Sequence, residues 1–335
     1  MSERKLARIE TVLALDPIPG ADRIEVATVG GWRVVTQKGL YTVGSLVAYF
    51  ELDSLIPRRP WSLFLFKDNR ELYRLKSVRL KGQLSQGLLV PISEVPELAG
   101  REWKEGDDLT EILGIAKWEM VLPSQLAGMV KGNFPAFILK TDEPRLQSNR
   151  GVLAEIVDVP TYVSMKLDGS SFTAYRKDNV FGVCSRNLDL KEEGGDAYWA
   201  AAKSYLLHER LPEGYAIQAE LVGPGIQGNK LGLTKPELRV FNVWDIAAAR
   251  HLDFDPFTTF VHNVLAMETV PILDYGVFNC SLEEWLAYAD KQDYPNGGPA
   301  EGIVVRPLIE RHSPALDSRL SFKVISNRFL LKTGE

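Results

Sequence analysis

One short segment of the chain has the residue types needed to attack phosphorus or a carbonyl carbon: Ser164-Met-Lys166-Leu-Asp168-Gly169-Ser-Ser171. It places a lysine at the end of an apolar run, Val159–Lys166, and follows it with an Asp and a Gly that turn the chain. A protonated lysine, with an unperturbed pKa of about 10.4, is a poor nucleophile. Partial burial or a neighbouring cation is expected to lower that value and free the amine. Taken alone, Lys-x-Asp-Gly describes an exposed lysine in a turn equally well. The chemistry depends on what the rest of the chain sets around it.

The elements that would position this lysine read as follows. After Val152, strand and helix patterns alternate. Val159–Lys166, Phe172–Arg176, Val180–Asn187, Tyr215–Val222, Leu238–Ile246, Gly302–Arg306 and Leu320–Ile325 read as strands. Asp196–Leu207, Thr258–Met267 and Leu282–Ala289 have helical spacing, the last capped by Ser281 with Glu283 and Glu284 in its first turn. This predicts an α+β domain on antiparallel sheet. The first half differs. Leu6–Leu15, Arg23–Val29, Trp32–Gln37, Val43–Leu52, Leu75–Leu80 and Gly87–Ile92 are short apolar-rich runs separated by turns, among them the Gly30-Gly31 pair. So many short strands with no helical period predict a small closed β-barrel. The OB-fold is the barrel of that size most used to grip nucleic acid. Three segments follow: an OB-fold nucleic-acid-binding domain at 1–115, a bridge packed on the second domain at 116–150, and a catalytic domain at 151–335, the boundary falling near 115–125.

Composition sets outer limits. The 335 residues are 45% hydrophobic and 25% charged, which excludes disordered and fibrous classes and suits two domains. No apolar run approaches the roughly 20 residues that span a bilayer, and Met1-Ser2-Glu3-Arg4-Lys5 leads into no signal-peptide pattern. A cytoplasmic protein with no membrane partner is expected, and a monomer. Cys184 and Cys280 are too few for a disulfide framework and, like the four histidines, lack ligand spacing, so no structural zinc is expected. A net charge of −5 argues against coating nucleic acid by bulk electrostatics but leaves room for a local basic groove. Arg74-Leu-Lys-Ser-Val-Arg-Leu-Lys81 is such a cluster, or else a charged strand face.

Five further segments follow Lys166 in order: Ser185-Arg-Asn187, Ala216-Ile-Gln-Ala-Glu220-Leu-Val-Gly223, Phe241-Asn-Val-Trp244-Asp245-Ile246, Glu301-Gly-Ile-Val-Val-Arg306 and Ser321-Phe-Lys323-Val-Ile325. With Lys-x-Asp-Gly they resemble the ordered motifs of the covalent nucleotidyltransferases, the group of ATP-dependent DNA ligases, RNA ligases and capping enzymes. The resemblance implies that Lys166 carries AMP covalently and that ATP and Mg²⁺ or Mn²⁺ take part. Phosphates need cations in position, here Lys323 and Arg186 with the metal. A hard divalent ion needs oxygen ligands, which Asp168, Glu220 and Glu301 can supply. Gly169 belongs to the nucleotide site by the same carry-over. Glu220 would approach the ribose or metal, and Arg186 the ribose or α-phosphate. An aromatic platform for adenine is expected at Trp244, with Phe241 as second choice; core packing is the plain alternative for Trp244, and surface ion pairing for Glu220. The last motif departs from related RNA ligases, which often have two lysines one residue apart, whereas here Ile325 stands two positions after Lys323.

Order of domains separates the candidates. DNA ligases and capping enzymes of the group place an OB domain after the final lysine motif, but only 12 residues follow Lys323, and the barrel comes first. That order is similar to the RNA ligases with an N-terminal OB module. Val78-Arg-Leu-Lys-Gly-Gln-Leu-Ser-Gln-Gly87 and Phe137-Ile-Leu-Lys-Thr-Asp-Glu-Pro-Arg-Leu-Gln147 also resemble them. Ser171 stands where DNA ligases usually have an Arg. Within this group Arg145 would contact the triphosphate, or else pair with Asp142 or Glu143, while Arg79 and Lys81 would meet the nucleic-acid backbone. The implied activity is an RNA-repair ligation of 3′-OH and 5′-phosphate ends through lysyl-AMP and an adenylated strand. Its partner would be a nicked duplex with an RNA 3′-OH end. A DNA ligase, a GTP-using capping enzyme, and a non-catalytic OB-type RNA-binding protein with a degenerate transferase domain remain the alternatives.

Overall fold

The computed structural model describes residues 5–76, 78–81, 83–118, 129–193 and 197–333. Two compact units divide the chain: Met1–Val121 with Leu146–Arg150 and Asn327–Glu335, and Leu122–Arg145 with Gly151–Ser326.

In the first unit β1 (Ala7–Pro17), β2 (Ile24–Val29), β3 (Trp32–Gln37), β4 (Leu46–Phe50), β5 (Ser54–Pro57), β6 (Leu72–Arg74), β7 (Val78–Leu80), β8 (Gln83–Ser85), β9 (Leu88–Pro91) and β10 (Ala116–Lys117) are all antiparallel to their neighbours. The main sheet runs β3-β2-β1-β4-β9, and β10-β5-β6 form a second. β1 is long enough to serve twice. Ala7–Thr11 pair with β4, and after a register shift at Val12/Ala14 the strand continues against β2. Such a bulge bends and twists a strand, which is how a barrel corner is made. Both faces of β4 are covered, Val47 and Tyr49 on one core and Ala48 and Phe50 on another, so the strand reads as continuously apolar. This is the OB-fold unit expected of the first half. β5 and β6 fall in the stretch that the sequence reading passed over as polar, because two prolines and several charges interrupt them.

The expected 116–150 bridge is split between the two units, and its start falls partly outside the described residues. Val130–Asn133 (β11) adds a strand to the second unit. Leu146–Arg150 belong to the first, where the Ser148 hydroxyl donates to Glu51 at 2.7 Å and the Gln147 carbonyl accepts from the Gly31 amide at 3.2 Å.

The second unit is built from antiparallel sheets. Its strands are β12 (Pro160–Lys166), β13 (Ser170–Lys177), β14 (Val180–Cys184), β15 (Leu188–Leu190), β16 (Tyr215–Val222), β17 (Glu237–Asp245), β18 (Arg250–His251), β19 (Ile272–Val277), β20 (Gly302–Pro307), the short pair β21 (His312–Ser313) and β22 (Ser318–Arg319), and β23 (Phe322–Ile325). They form a seven-stranded sheet, β11-β15-β14-β13-β16-β17-β18, and a four-stranded one, β19-β12-β20-β23. Beyond the brief α1 (Val152–Glu155), helices α2 (Ala197–Ser204), α3 (Leu207–Arg210) and α4 (Phe254–Thr259) cover the first sheet around Phe172, Ile217, Val240 and Phe257. α5 (Leu282–Asp290) lays Trp285 against Phe322 of the second. Ser281 caps α5 in a reciprocal capping box with Glu284, as its sequence signature implies. α4 begins earlier than the apolar spacing of Thr258–Met267 suggests, because Pro256 is tolerated in a first turn, and it passes into a wider π-turn over Phe260–Val264. The expected helix start at Asp196 lies outside the described residues. α6 (Asn327–Thr333) returns to the first unit, where the Asn327 side chain accepts from Gln86 at 3.2 Å.

Candidate active site

Lys166 is the last residue of β12, and after three intervening residues the chain enters β13 of the other sheet. The turn between them is therefore the crossover from one sheet to the other, and it passes tightly against β16. A Cβ at Gly169 would sit 2.7 Å from Val222 Cγ1 and 2.9 Å from Glu220 Cγ, with the Leu221 carbonyl nearer still. Only glycine allows that approach. It delivers the lysine to Glu220, which takes a hydrogen bond from the Gly169 amide. On the other side Lys166 pairs with Gly302, which places Glu301 at the start of β20 beside the amine. The Lys166 Nζ donates to Glu301 Oε2 at 2.7 Å, and both side chains are largely buried.

The electrostatics differ from the sequence expectation. Burial lowers the proton affinity of the amine, but Glu301, then Glu220 and Asp168, outweigh it and hold Lys166 above the ordinary lysine value. Three carboxylates around one amine favour its charged form. The cost appears on Glu220. Burial first, and repulsion from Glu301 and Asp168, push its carboxyl up to about 8 despite Lys166. Asp168 is held by Lys230 at 2.5 Å.

Lys323 lies two strands away. Directly paired residues share a face of the sheet, so Ser164, Val304 and Lys323 align across β12, β20 and β23, and Lys166 faces the same way. Two strand spacings, roughly 10 Å, separate the strands of the two lysines. Beside Lys323 runs the segment Pro144-Arg145: the Lys323 amide donates to the Pro144 carbonyl at 2.8 Å, and Arg145 bridges to Lys323. Asp142 gathers two further charges, Arg186 at 3.4 Å and Lys323 at 3.6 Å. Glu143, which the sequence offered as one partner for Arg145, binds Arg306 at 2.7 Å, and this buried guanidinium also donates to Ser321, Tyr162 and the Phe241 carbonyl. Burial would raise the Glu143 carboxyl, but Arg306 and then Arg319 hold it below the ordinary range.

Two groups of expected site residues sit as follows. Trp244 does not stand beside Lys166. It pairs with Ala216, four positions along β16 from Glu220, or roughly 13 Å. It is buried with Ile138, Tyr175 and Cys184, its indole N–H donates to the Phe137 carbonyl at 3.0 Å, and its ring meets His251 edge-on at 4.8 Å. Phe241 packs instead with Met165 and Leu167, the sequence neighbours of Lys166, and with Val222, two positions from Glu220. The motif spacing allowed either aromatic, and of the two it is Phe241 that packs against these residues. The second group is the expected metal ligands. Among the described residues no three Asp, Glu, His or Cys side chains form a preformed metal group. Asp168, Glu220 and Glu301 surround the amine instead. Hard carboxylate oxygens short of positive charge still suit Mg²⁺ or Mn²⁺ in the mode that uses one or two carboxylates with water and substrate phosphates.

The sequence reading missed two residues. Lys230 ends the glycine-rich stretch after Glu220, a signal that could have been followed. Tyr294 lies in an ordinary Tyr-Pro-Asn-Gly turn and gave none. In the first unit Arg74 is engaged by Asp53 at 2.8 Å and lies 3.5 Å from the centre of the Trp118 ring, so the basic cluster is partly structural. Arg79 sits on β7, its side chain outside the described set. Lys81 is exposed at the tip of the β7–β8 hairpin, with φ 49°.

Comparison with known proteins places this geometry. A family model described as RNA ligase matches residues 159–325, and one described as an OB-fold domain matches residues 6–92. Among solved structures, a variant of Naegleria gruberi RNA ligase with ATP and Mn is 38% identical, with 99% of this chain and 100% of that chain covered and a TM-score of 0.87. A variant of the same ligase with AMP and Mn is 38% identical over 98% of each chain at a TM-score of 0.86. Naegleria gruberi RNA ligase with pyrophosphate is 38% identical over 98% of this chain and 99% of that chain, at 0.85. No curated protein matches.

Proposed function

The chain belongs to the RNA ligase family and is an ATP-dependent RNA ligase, and we propose that it seals duplex nicks bearing an RNA 3′-hydroxyl through an AMP carried on Lys166. The observation that carries the reading is the Lys166 amine, held 2.7 Å from Glu301 among three carboxylates and on the same sheet face as Lys323.

In the first step the amine loses a proton and attacks the α-phosphorus of ATP. A P–N bond forms, the P–O bond to the β-phosphate breaks, and pyrophosphate leaves. Lys323, Arg145 and Arg186 supply the cations for the phosphates, and Phe241 the apolar face for adenine. Glu301 orients the amine by its hydrogen bond. An oxygen of a 5′-phosphate end then attacks the same phosphorus, breaking the P–N bond and returning the amine. Finally a 3′-hydroxyl loses its proton and attacks the 5′-phosphate, forming the phosphodiester and releasing AMP. Glu220, Glu301 and Asp168 would hold a divalent ion, which would supply positive charge to offset both the carboxylates and the charge developing on phosphate. Arg79 and Lys81 of the OB unit are proposed for the strand backbone, where Lys/Arg contacts position without reading sequence.

The test uses α-labelled ATP and a nicked-duplex panel with ribose or deoxyribose on each side of the nick and in the template. Wild-type protein should retain label as an acid-labile phosphoramidate and seal only nicks with a 3′-ribose. Lys166→Ala should retain no label yet still seal a pre-adenylated strand, since the last step does not use the amine. Label on Lys166→Ala, or equal sealing of 3′-deoxyribose nicks, would contradict the proposal.

A further inference from the structure

The ladder between β12 and β20 ends at Lys166 and Gly302. Beyond that rung lie the amides of Asp168 and Glu301. One side chain takes over. The Tyr294 hydroxyl accepts from the Asp168 amide at 3.0 Å and from the Glu301 amide at 3.1 Å, and donates to the Lys166 carbonyl at 3.3 Å. A phenol has one donor and two acceptor sites, so all are used and none is left for substrate. The ring is buried among Met165, Leu167, Val222 and Ala300, which leaves it one position.

The turn carrying it is also tied down. The Tyr294 amide donates to the Gly298 carbonyl at 2.7 Å, and the Gly297 amide returns to the Tyr294 carbonyl at 2.8 Å. From the same turn Asn296 donates to the Lys230 carbonyl at 2.7 Å, and Lys230 is the residue whose amine holds Asp168. One short turn therefore touches the main chain of Lys166, of Asp168 and Glu301, and of Lys230, the lysine partner of Asp168.

We infer that Tyr294 is a positioning residue for adenylyl transfer: its hydroxyl sets the distance between the Lys166 amine and the Asp168 and Glu301 carboxylates. This rests on the proposed role of Lys166. Tyr294→Phe removes one oxygen and leaves the ring. A misplacement of about 1 Å costs up to roughly 100-fold in rate. The single-turnover rate of lysine adenylation at saturating ATP should therefore fall about 10- to 100-fold, while KM for ATP changes less than about threefold. Sealing of a pre-adenylated nick should fall by a similar factor, because Asp168 and Glu301 serve that step as well. A merely structural role would lower Tm and leave both rates unchanged at temperatures well below melting, and that result overturns the inference. Should Tyr294→Phe not fold, Asn296→Ala loosens the same turn and keeps the hydroxyl. It should slow adenylation at unchanged KM, and an unaltered rate again overturns the inference. If wild-type protein forms no adenylate, the proposed function has failed; if it does and Tyr294→Phe matches it, only the role of Tyr294 has.

Discussion

Replacing Gly169 by alanine puts the crossover turn under a defined load. The added Cβ would lie 2.7 Å from Val222 Cγ1 and 2.9 Å from Glu220 Cγ, where ordinary contact begins at 3.4 Å. The nearest atom, the Leu221 carbonyl, belongs to a strand paired on both sides, with Ser170 and with Leu238, so it has no room to give. The turn must move instead, by on the order of 1 Å to regain van der Waals contact. That movement carries Asp168 and Lys166 with it, and the same distance takes a 2.7 Å hydrogen bond to Glu301 beyond bonding range. A reactive-centre displacement of this size corresponds to about 100-fold in rate, or roughly 2.7 kcal/mol. The assay is rapid-quench adenylation with α-labelled ATP at saturating nucleotide, with circular dichroism and a thermal melt to confirm the fold. An adenylation rate within about twofold of wild type, in a folded protein, would mean that the close approach to β16 does not set the geometry of the amine, and the reasoning from Gly169 would be abandoned.

Phe241→Ala should raise KM for ATP about tenfold, since an aromatic–base stack contributes about 1–3 kcal/mol by alanine substitution. Trp244→Phe should leave KM within about twofold while lowering Tm through the lost bond to Phe137, and steady-state kinetics on both variants tests the choice between the two rings. The Arg306–Glu143 pair should dominate acid sensitivity of the second unit. Glu143 has a depressed pKa, so its contribution is complete above the unfolded carboxylate value and is lost as pH falls through the lower folded one. Wild-type Tm should therefore drop towards that of Glu143→Gln below about pH 4; a gap between the two that stays constant down to pH 2 would contradict it. Arg306→Met should cost about 3–5 kcal/mol in urea unfolding near neutral pH, where it leaves a buried carboxylate unpaired.

Much of the site was legible in residue order. Lys166 ends an apolar strand, Asp168 lies in the turn after it, Glu220 and Lys323 lie within strands and Glu301 directly precedes one, and a strand that must be buried on both faces announces itself by composition. The crossover glycine was legible for the same reason: a turn directly after a strand leaves few residue types able to make it. What failed was selection among neighbours on one strand. Trp244 and Phe241 are three positions apart, and which ring packs against the residues flanking Lys166 depends on a register shift in the β16–β17 pairing, between Gln218 and Ala219, that no local pattern records.

The order and types of residues along the chain determined by themselves that a lysine, three carboxylates and several cations would be carried on or beside antiparallel strands after an OB-type barrel, because alternation, turns and motif order are local or ordinal properties. Tertiary structure alone decided who neutralises whom. It put Glu301 rather than a cation against Lys166, gave Asp168 to Lys230, buried Arg306 with Glu143, and set the Tyr294 hydroxyl where a ladder runs out. Each of these pairs joins residues far apart in the chain, and their protonation and hydrogen bonding depend on distance and burial, which exist only once the sheets have packed.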